Sequence, residues 1–310
     1  CPSHPDTLPL IKEILSEVAS IFPSPYLHAG LDEARIDNCP ACLRRARGKP
    51  SWWLFHEHLK KVHAIVRECG KQMIMWADGV EKHPELLDML PRDIILAHWH
   101  YREVRVERIQ PSVAAGFRVI GVPAISGEVL QPAADNLRNV AEMAACMAGI
   151  PESSRAGLVT CWWEPFRHLR DTFPFAMYYA GAVALRGRGL DPGSSAGPFL
   201  KQYFGLEDAA AAKAFWRLQE LASLLDRETA HALLPDSLGD LPETLRLARD
   251  PDFAAKRAET AAALDILAGA GADVGRHVAE FDATVLSARV LLTALDNGVL
   301  LSEAYEAYRQ

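Results

Sequence analysis

The sequence predicts an α/β fold of the (β/α)8 TIM-barrel type, with about five barrel strands in this chain and a helical region after them. Three observations carry this. Short apolar runs alternate with amphipathic helical segments through the first two-thirds of the 310 residues, the pattern of a parallel sheet covered by helices. The runs are nearly continuous in apolar residues, which suits strands covered on both faces. From Leu190 onward the strands stop and alanine- and leucine-rich segments take over.

In chain order, residues 7–22 place Leu10, Ile11, Ile14, Leu15, Val18 and Phe22 on one helical stripe after a Pro-Asp start. Tyr26–Leu31 is a short apolar run between Pro25 and a carboxylate pair, hence a buried strand. Phe55, Leu59, Val62 and Val66 restore helical spacing over 51–69. The strand 72–77 (QMIMWA) and a short helix near 83–90 come next. The strand 93–99 (DIILAHW) precedes a helix near 104–115, and the strand 117–122 (FRVIGV) precedes a helix at 136–148. A fifth strand over 157–163 (GLVTCWW) and an apolar helix over 174–186 complete the alternating part. A closed barrel of this type takes eight strands. The expected organisation is therefore an incomplete barrel over 1–190, a Gly/Ser/Pro-rich linker at 190–198 and a helical appendix within 191–310. Helices are expected there at 207–226, 252–269 and 274–296, the last with its stripe through Phe281, Val285, Ala288, Leu292 and Leu295.

Composition narrows the function classes. With 49% hydrophobic and 24% charged residues the chain is of ordinary globular type. A net charge of -7 argues against a nucleic-acid partner, which wants a basic face. Charged residues interrupt each apolar run before the length of a membrane span, so no membrane partner is expected. Six cysteines are too few for a disulfide scaffold and favour a reducing, cytoplasmic compartment. The chain starts at Cys1 with no leader-like segment, which reads as a processed start or a fragment.

In such barrels the functional side chains come from the C-terminal ends of the strands. The first strand ends in Asp32-Glu33, the second in Trp76 and Asp78, the third in Trp99, His100 and Tyr101. The fourth ends blandly in Pro123-Ala124-Ile125, and the fifth in Trp162, Trp163 and Glu164. Aromatic rings beside carboxylates and imidazoles suit a sugar, whose C–H face packs on a ring while its hydroxyls reach polar acceptors. A single Trp at a strand end caps a barrel core about as often; four at one end make sugar binding the better account. Neighbouring carboxylates can divide two tasks when their surroundings differ. Successive strand residues face opposite ways, so Asp32 and Glu33 share a pocket only if the backbone turns, and Gly30 permits a turn.

The string His28-Ala29-Gly30-Leu31-Asp32-Glu33 resembles the H-x-G-G/x-D-E signature of glycoside hydrolase family 20, the β-N-acetylhexosaminidases. Its flanks agree, with Ala-Ser-Ile-Phe-Pro-Ser at 19–24 before it and Cys39-Pro40-Ala41-Cys42 after it. Trp76, Trp99 and Trp162-x-Glu164 follow in the family's order, and Asn139-Val140 with Gly157–Trp162 looks like the shorter, intracellular-type branch. The resemblance covers roughly residues 1–190. It implies retaining, substrate-assisted removal of a terminal β-linked N-acetylhexosamine, without cofactor or metal. Asp32 would orient the 2-acetamido group, and Glu33, with a pKa raised by burial and by Asp32, would serve as acid and then base. Trp76, Trp99 and Trp162 would wall the pocket, and Glu164 would hold distal hydroxyls. Asp78 is a supporting carboxylate, and His28 is an orienting group or equally a satisfied core histidine.

Two departures count. The family's Tyr that touches the acetamido oxygen has no match in GVPAISGE (121–128), although Tyr101 or a residue from elsewhere can substitute. The family's first three strands and a sugar-gripping arginine should precede residue 1, so another segment or chain is expected to complete the sheet edge. Beside the hexosaminidase reading stand a non-catalytic sugar-binding relative and a barrel glycosidase for another sugar. Cys39-x-x-Cys42 lacks a second CxxC and reads as a loop with two free thiols. The basic run Arg44–Lys49 reads as a solvated loop.

Overall fold

The structure, a computed structural model, describes residues 1–34, 36, 38–125, 136–162, 173–186, 189–223 and 252–309, with the backbone alone at 51, 308 and 309. The chain divides into two compact units, Cys1–Pro123 with Cys146–Val159 and Ala124–Ala145 with Thr160–Gln310.

The first unit holds a parallel sheet of β1 (Tyr26–His28), β2 (Gln72–Trp76), β3 (Ile95–Trp99), β4 (Arg118–Val122) and β5 (Arg155–Leu158), in the order β1-β2-β3-β4-β5. Each strand pairs with the next in sequence. A doubly wound sheet would reverse direction at a switch point, whereas monotonic order is that of a barrel wall. The fold is thus part of an α/β barrel, as the sequence predicts. Register puts His28 beside Ile74, and Trp76 beside Ala97. His28, Ile74 and Trp76 therefore share one face, while Leu27, Met73 and Met75 lie buried on the other.

The helices of this unit are α1 (Thr7–Ile21), α2 (Pro40–Ala46), α3 (Ser51–Glu68), α4 (Asp78–Lys82) and α5 (Val106–Ala114). Within α3, Leu59, Val62 and Val66 are fully covered, and the helix packs on β2 as its apolar stripe requires. No residue of α1 is buried; Leu10, Ile14 and Ile21 on it, and Phe22 beyond it, are exposed.

Several expectations need correction. Residues 39–42 are not a loop: Pro40 in the first turn starts α2, and Cys42 is buried against Ala46 and Leu54. The segment near 83–90 is a single 3₁₀ stretch, Pro84–Asp88. The fifth strand is shorter and earlier than 157–163: it spans Arg155–Leu158, with a register shift against β4 between Val119 and Ile120, and Cys161 makes an isolated bridge to Ala124.

The second unit is helical around that bridge, with α7 (Pro174–Arg186), α8 (Pro192–Phe199), α9 (Ala209–Ser223), α10 (Phe253–Gly269) and α11 (Val278–Arg309); α6 (Leu137–Ala148) spans 136–148 as predicted. Buried Asn139 accepts from the Ala124 N–H at 3.1 Å, and Ile125 N–H donates to Cys161 at 2.9 Å. The expected linker at 190–198 is instead mostly helix α8. Asp191 caps it by accepting from Ser194 N–H at 2.7 Å, and Pro192 preforms its first turn. A Cβ at Gly193 would stand 2.8 Å from the Trp216 indole nitrogen. Gly193 there serves close packing rather than flexibility. Tyr179 on α7 donates to Leu190 O at 2.8 Å, and burial with the Asp191 charge pushes its phenol up to about 12.

α11 runs on past 296, and by length and composition Val278–Ala307 could cross a membrane. The expected limit on length is exceeded, although Arg289 and Asp296 still interrupt the run. The helix packs along α10, with Phe281, Ala288, Leu291, Ala294 and Leu295 buried and Arg257 paired to Asp296. Gly298 marks their closest approach, since a Cβ there would lie 2.9 Å from the Phe253 ring. Alanine ordinarily stabilises a helix interior over glycine by about 1 kcal/mol, but overpacking costs about 1–3 kcal/mol. Gly298→Ala is expected to lower the melting temperature; a rise would show that the interface yields freely.

Candidate active site

The chain beyond β1 turns sharply. Gly30, Leu31 and Glu33 all have left-handed backbones, at φ +73, +72 and +47. Only glycine adopts this region without cost, so Leu31 and Glu33 are held there by surrounding contacts, a form of strain that clusters at functional sites. Two backbone bonds extend the sheet into the turn: Ala29 N–H to Ile74 O at 2.8 Å, and Trp76 N–H to Gly30 O at 3.0 Å. The turn that shared use of Asp32 and Glu33 demands is therefore present. Both carboxylates are exposed, in contrast to the burial expected for Glu33.

Asp78, at the start of α4, supports this turn from beneath. Its Oδ2 accepts from the Glu33 N–H at 3.0 Å and from Lys82 Nζ at 3.3 Å. Its Oδ1 is buried with no partner among the described residues. A cavity of about 210 Å³ lies beside it, lined by Leu31, Ala34, Phe55, Gly79 and Lys82 among others. His28 packs its ring on Trp76, centroids 4.4 Å apart, and its Nδ1 accepts from Gly30 N–H at 3.1 Å. Burial of that ring lowers the imidazole pKa, and the Asp32 charge opposes the shift. His28, Asp32, Glu33, Trp76 and Asp78 are thus brought into one connected group. Trp99 and Tyr101 stack on each other at 5.0 Å at the neighbouring end of β3, with no described contact to the carboxylates. Trp162 belongs to the second unit, half-buried against Phe173 at 4.0 Å. Trp163 and Glu164 lie outside the described residues, as does the GVPAISGE segment beyond Ile125.

A buried polar triad behind this end of the sheet went unread in the sequence. Glu81 on α4 accepts from His98 Nδ1 at 2.6 Å and from His100 Nε2 at 3.1 Å. Arg105 N–H donates to His100 Nδ1, which assigns the His100 proton to Nε2. Desolvation raises the Glu81 pKa, but hydrogen bonds from His100 and His98 outweigh it and bring the carboxyl from 4.5 down to about 2. Burial lowers the His98 pKa, leaving a neutral ring with Nε2 unpartnered among the described residues. The signal was available: His-x-His puts both rings on one face of a strand.

With this geometry in place, comparison with known proteins shows what the chain resembles. Residues 1–126 match the model described as glycosyl hydrolase family 20, catalytic domain. This part of the chain is similar to the catalytic domain of glycosyl hydrolase family 20. Over 87 residues the chain is 29% identical to a curated protein of Porphyromonas gingivalis (strain ATCC BAA-308 / W83) named beta-hexosaminidase, covering 26% of this chain and 11% of the relative. A solved β-N-acetylhexosaminidase from Bacteroides fragilis NCTC 9343 superposes with a TM-score of 0.50 at 22% identity, over 65% of this chain and 45% of that one. At that identity the superposition speaks for the fold. The chain spans less than half the length of either relative.

Proposed function

We propose that this chain, similar to family 20 over residues 1–126, contributes the carboxylate side of a retaining β-N-acetylhexosaminidase active site. The observation that carries the reading is the strained turn presenting Asp32 and Glu33, with Asp78 bonded to the Glu33 N–H and Trp76 alongside. In the proposed reaction the substrate's 2-acetamido oxygen attacks its own anomeric carbon, forming an oxazolinium ion as the glycosidic bond breaks. Asp32 orients the acetamido N–H and balances the developing positive charge. Glu33 gives its proton to the leaving oxygen, then removes one from the water that opens the ring. By the resemblance, Trp76, Trp99 and Trp162 would wall the sugar pocket, Tyr101 would stand in for the missing tyrosine, and Glu164 would hold the distal hydroxyls.

A second reading, a sugar-binding relative without turnover, draws on the exposure of both carboxylates and on the missing tyrosine at 121–128. Hydrolysis of an aryl N-acetyl-β-glucosaminide by the full-length protein, beside the plain aryl β-glucoside, separates the possibilities. Turnover of the first substrate alone is expected, because the second lacks the internal nucleophile. Equal turnover of both would point to a two-carboxylate glycosidase, and binding without turnover to the non-catalytic relative.

A further inference from the structure

The tertiary fold brings a third thiol to the Cys39-x-x-Cys42 pair. Cys1 Sγ stands 3.4 Å from Cys39 Sγ and 3.5 Å from Cys42 Sγ, and the three sulfurs lie within 4.8 Å of one another. We propose that Cys1, Cys39 and Cys42 form a binding site for one zinc-class divalent ion, with water in the fourth position.

Geometry favours metal over a disulfide. A tetrahedral site with Zn–S bonds of about 2.3 Å has sulfur–sulfur edges of about 3.8 Å, close to the separations here. A disulfide needs about 2.05 Å and pairs only two sulfurs, leaving one over. Soft thiolates with no carboxylate in the set select zinc-like ions over magnesium or calcium.

The ligands are also held in place without the ion. Arg45 donates to Pro2 O at 2.5 Å, Thr7 Oγ1 donates to Cys1 O at 2.6 Å, and His4 N–H donates to the same oxygen at 3.0 Å. These bonds lay the Cys1–Ser3 segment against α2. Cys42 is 1% exposed on an apolar floor that includes Ala46, Leu54 and Trp53. Ser3 Oγ donates to its sulfur at 3.2 Å, the kind of outer hydrogen bond that orients a ligand. Cys1 is exposed, which leaves an approach for the ion and its water. Three thiolates and a divalent ion sum to one negative charge, and Arg44, Arg45, Arg47 and Lys49 line the adjoining surface to offset it. Binding forms three S–metal bonds and releases the three thiol protons to solvent, with no change of oxidation state. The ion would staple the segment before α1 to the helix that follows the Asp32–Glu33 turn.

The test loads the reduced, metal-free full chain with zinc alone and, separately, with cobalt(II) alone. One equivalent should bind and be removable by a chelator. The Cys1 and Cys39 thiols should resist alkylation only while metal is present, and cobalt should show sulfur charge-transfer and strong tetrahedral bands. Cys42→Ser and Cys1→Ser should each lose the bound equivalent, and zinc should raise the melting temperature of the wild type but not of these variants. Cys1 is exposed, so its variant keeps the fold even if the Cys42 variant does not. Cys69→Ser, outside the cluster, should retain the metal. Failure of the wild type to take up stoichiometric zinc, full uptake by Cys1→Ser, or a Cys39–Cys42 disulfide in the freshly isolated protein would each overturn the proposal.

Discussion

Glu33→Gln is expected to lower kcat for an aryl N-acetyl-β-glucosaminide by about 10²–10⁴-fold, the range of general acid–base catalysis. Gln keeps the shape of the side chain but has no proton to give and no basic oxygen to take one up. The turn should survive the change, because it is anchored through the Glu33 backbone N–H on Asp78 rather than through the exposed carboxylate. KM should therefore change far less than kcat. A substrate whose leaving group is a weak base needs little protonation, so the deficit should narrow as the leaving group improves. Asp32→Asn should lose activity comparably but without that leaving-group dependence, since Asp32 is assigned the acetamido group and the ring charge. Equal rates for wild type and Glu33→Gln across the series would sink the assignment.

Removal of the buried acceptor Glu81 is expected to cost about 3–5 kcal/mol, as breaking a buried, hydrogen-bonded ionic group does. The Glu81→Ala variant leaves the donors of His98 and His100 buried without their carboxylate. Unfolding free energies are only about 5–15 kcal/mol, so a drop in melting temperature of about 10 °C is the natural readout. The effect should depend on pH with a definite sign. The Glu81 carboxyl falls from 4.5 to about 2 on folding, so the unfolded state binds the proton more readily. Its contribution, about 3 kcal/mol, is fully present above pH 4.5 and is lost as pH falls toward 2. His98 acts in the same direction, because burial keeps it neutral in the fold and unfolding lets it charge as pH falls below 6.5. The stability gap between wild type and variant should shrink between pH 5 and pH 3. A gap that stays constant over that range would show that the carboxylate's ionisation is not what the triad uses.

How much of this was legible in advance differs from residue to residue. The strands at 72–76, 95–99 and 118–122 stand where unbroken apolar runs place them, because covered parallel strands need such residues. Helix α8 was hidden by its own composition: Gly193 and its neighbours resemble a linker in sequence, whereas the Trp216 ring explains why Gly193 has no side chain. α11 runs past the expected end at 296, and the Asp296 charge at that point pairs with Arg257 in the fold.

The sequence by itself determined the fold class, the succession of strands and helices, and the Asp32-Glu33 pair at the end of the first strand. These follow from apolar periodicity and from a short motif, both of which act within a few residues. Only the tertiary structure decided that Asp78 holds the Glu33 N–H from 45 positions away, and that Cys1 meets Cys39 across 38. It likewise decided that Glu81 closes on His98 and His100. Such contacts arise where sheet register and helix packing bring distant backbone together, and no local pattern encodes that distance.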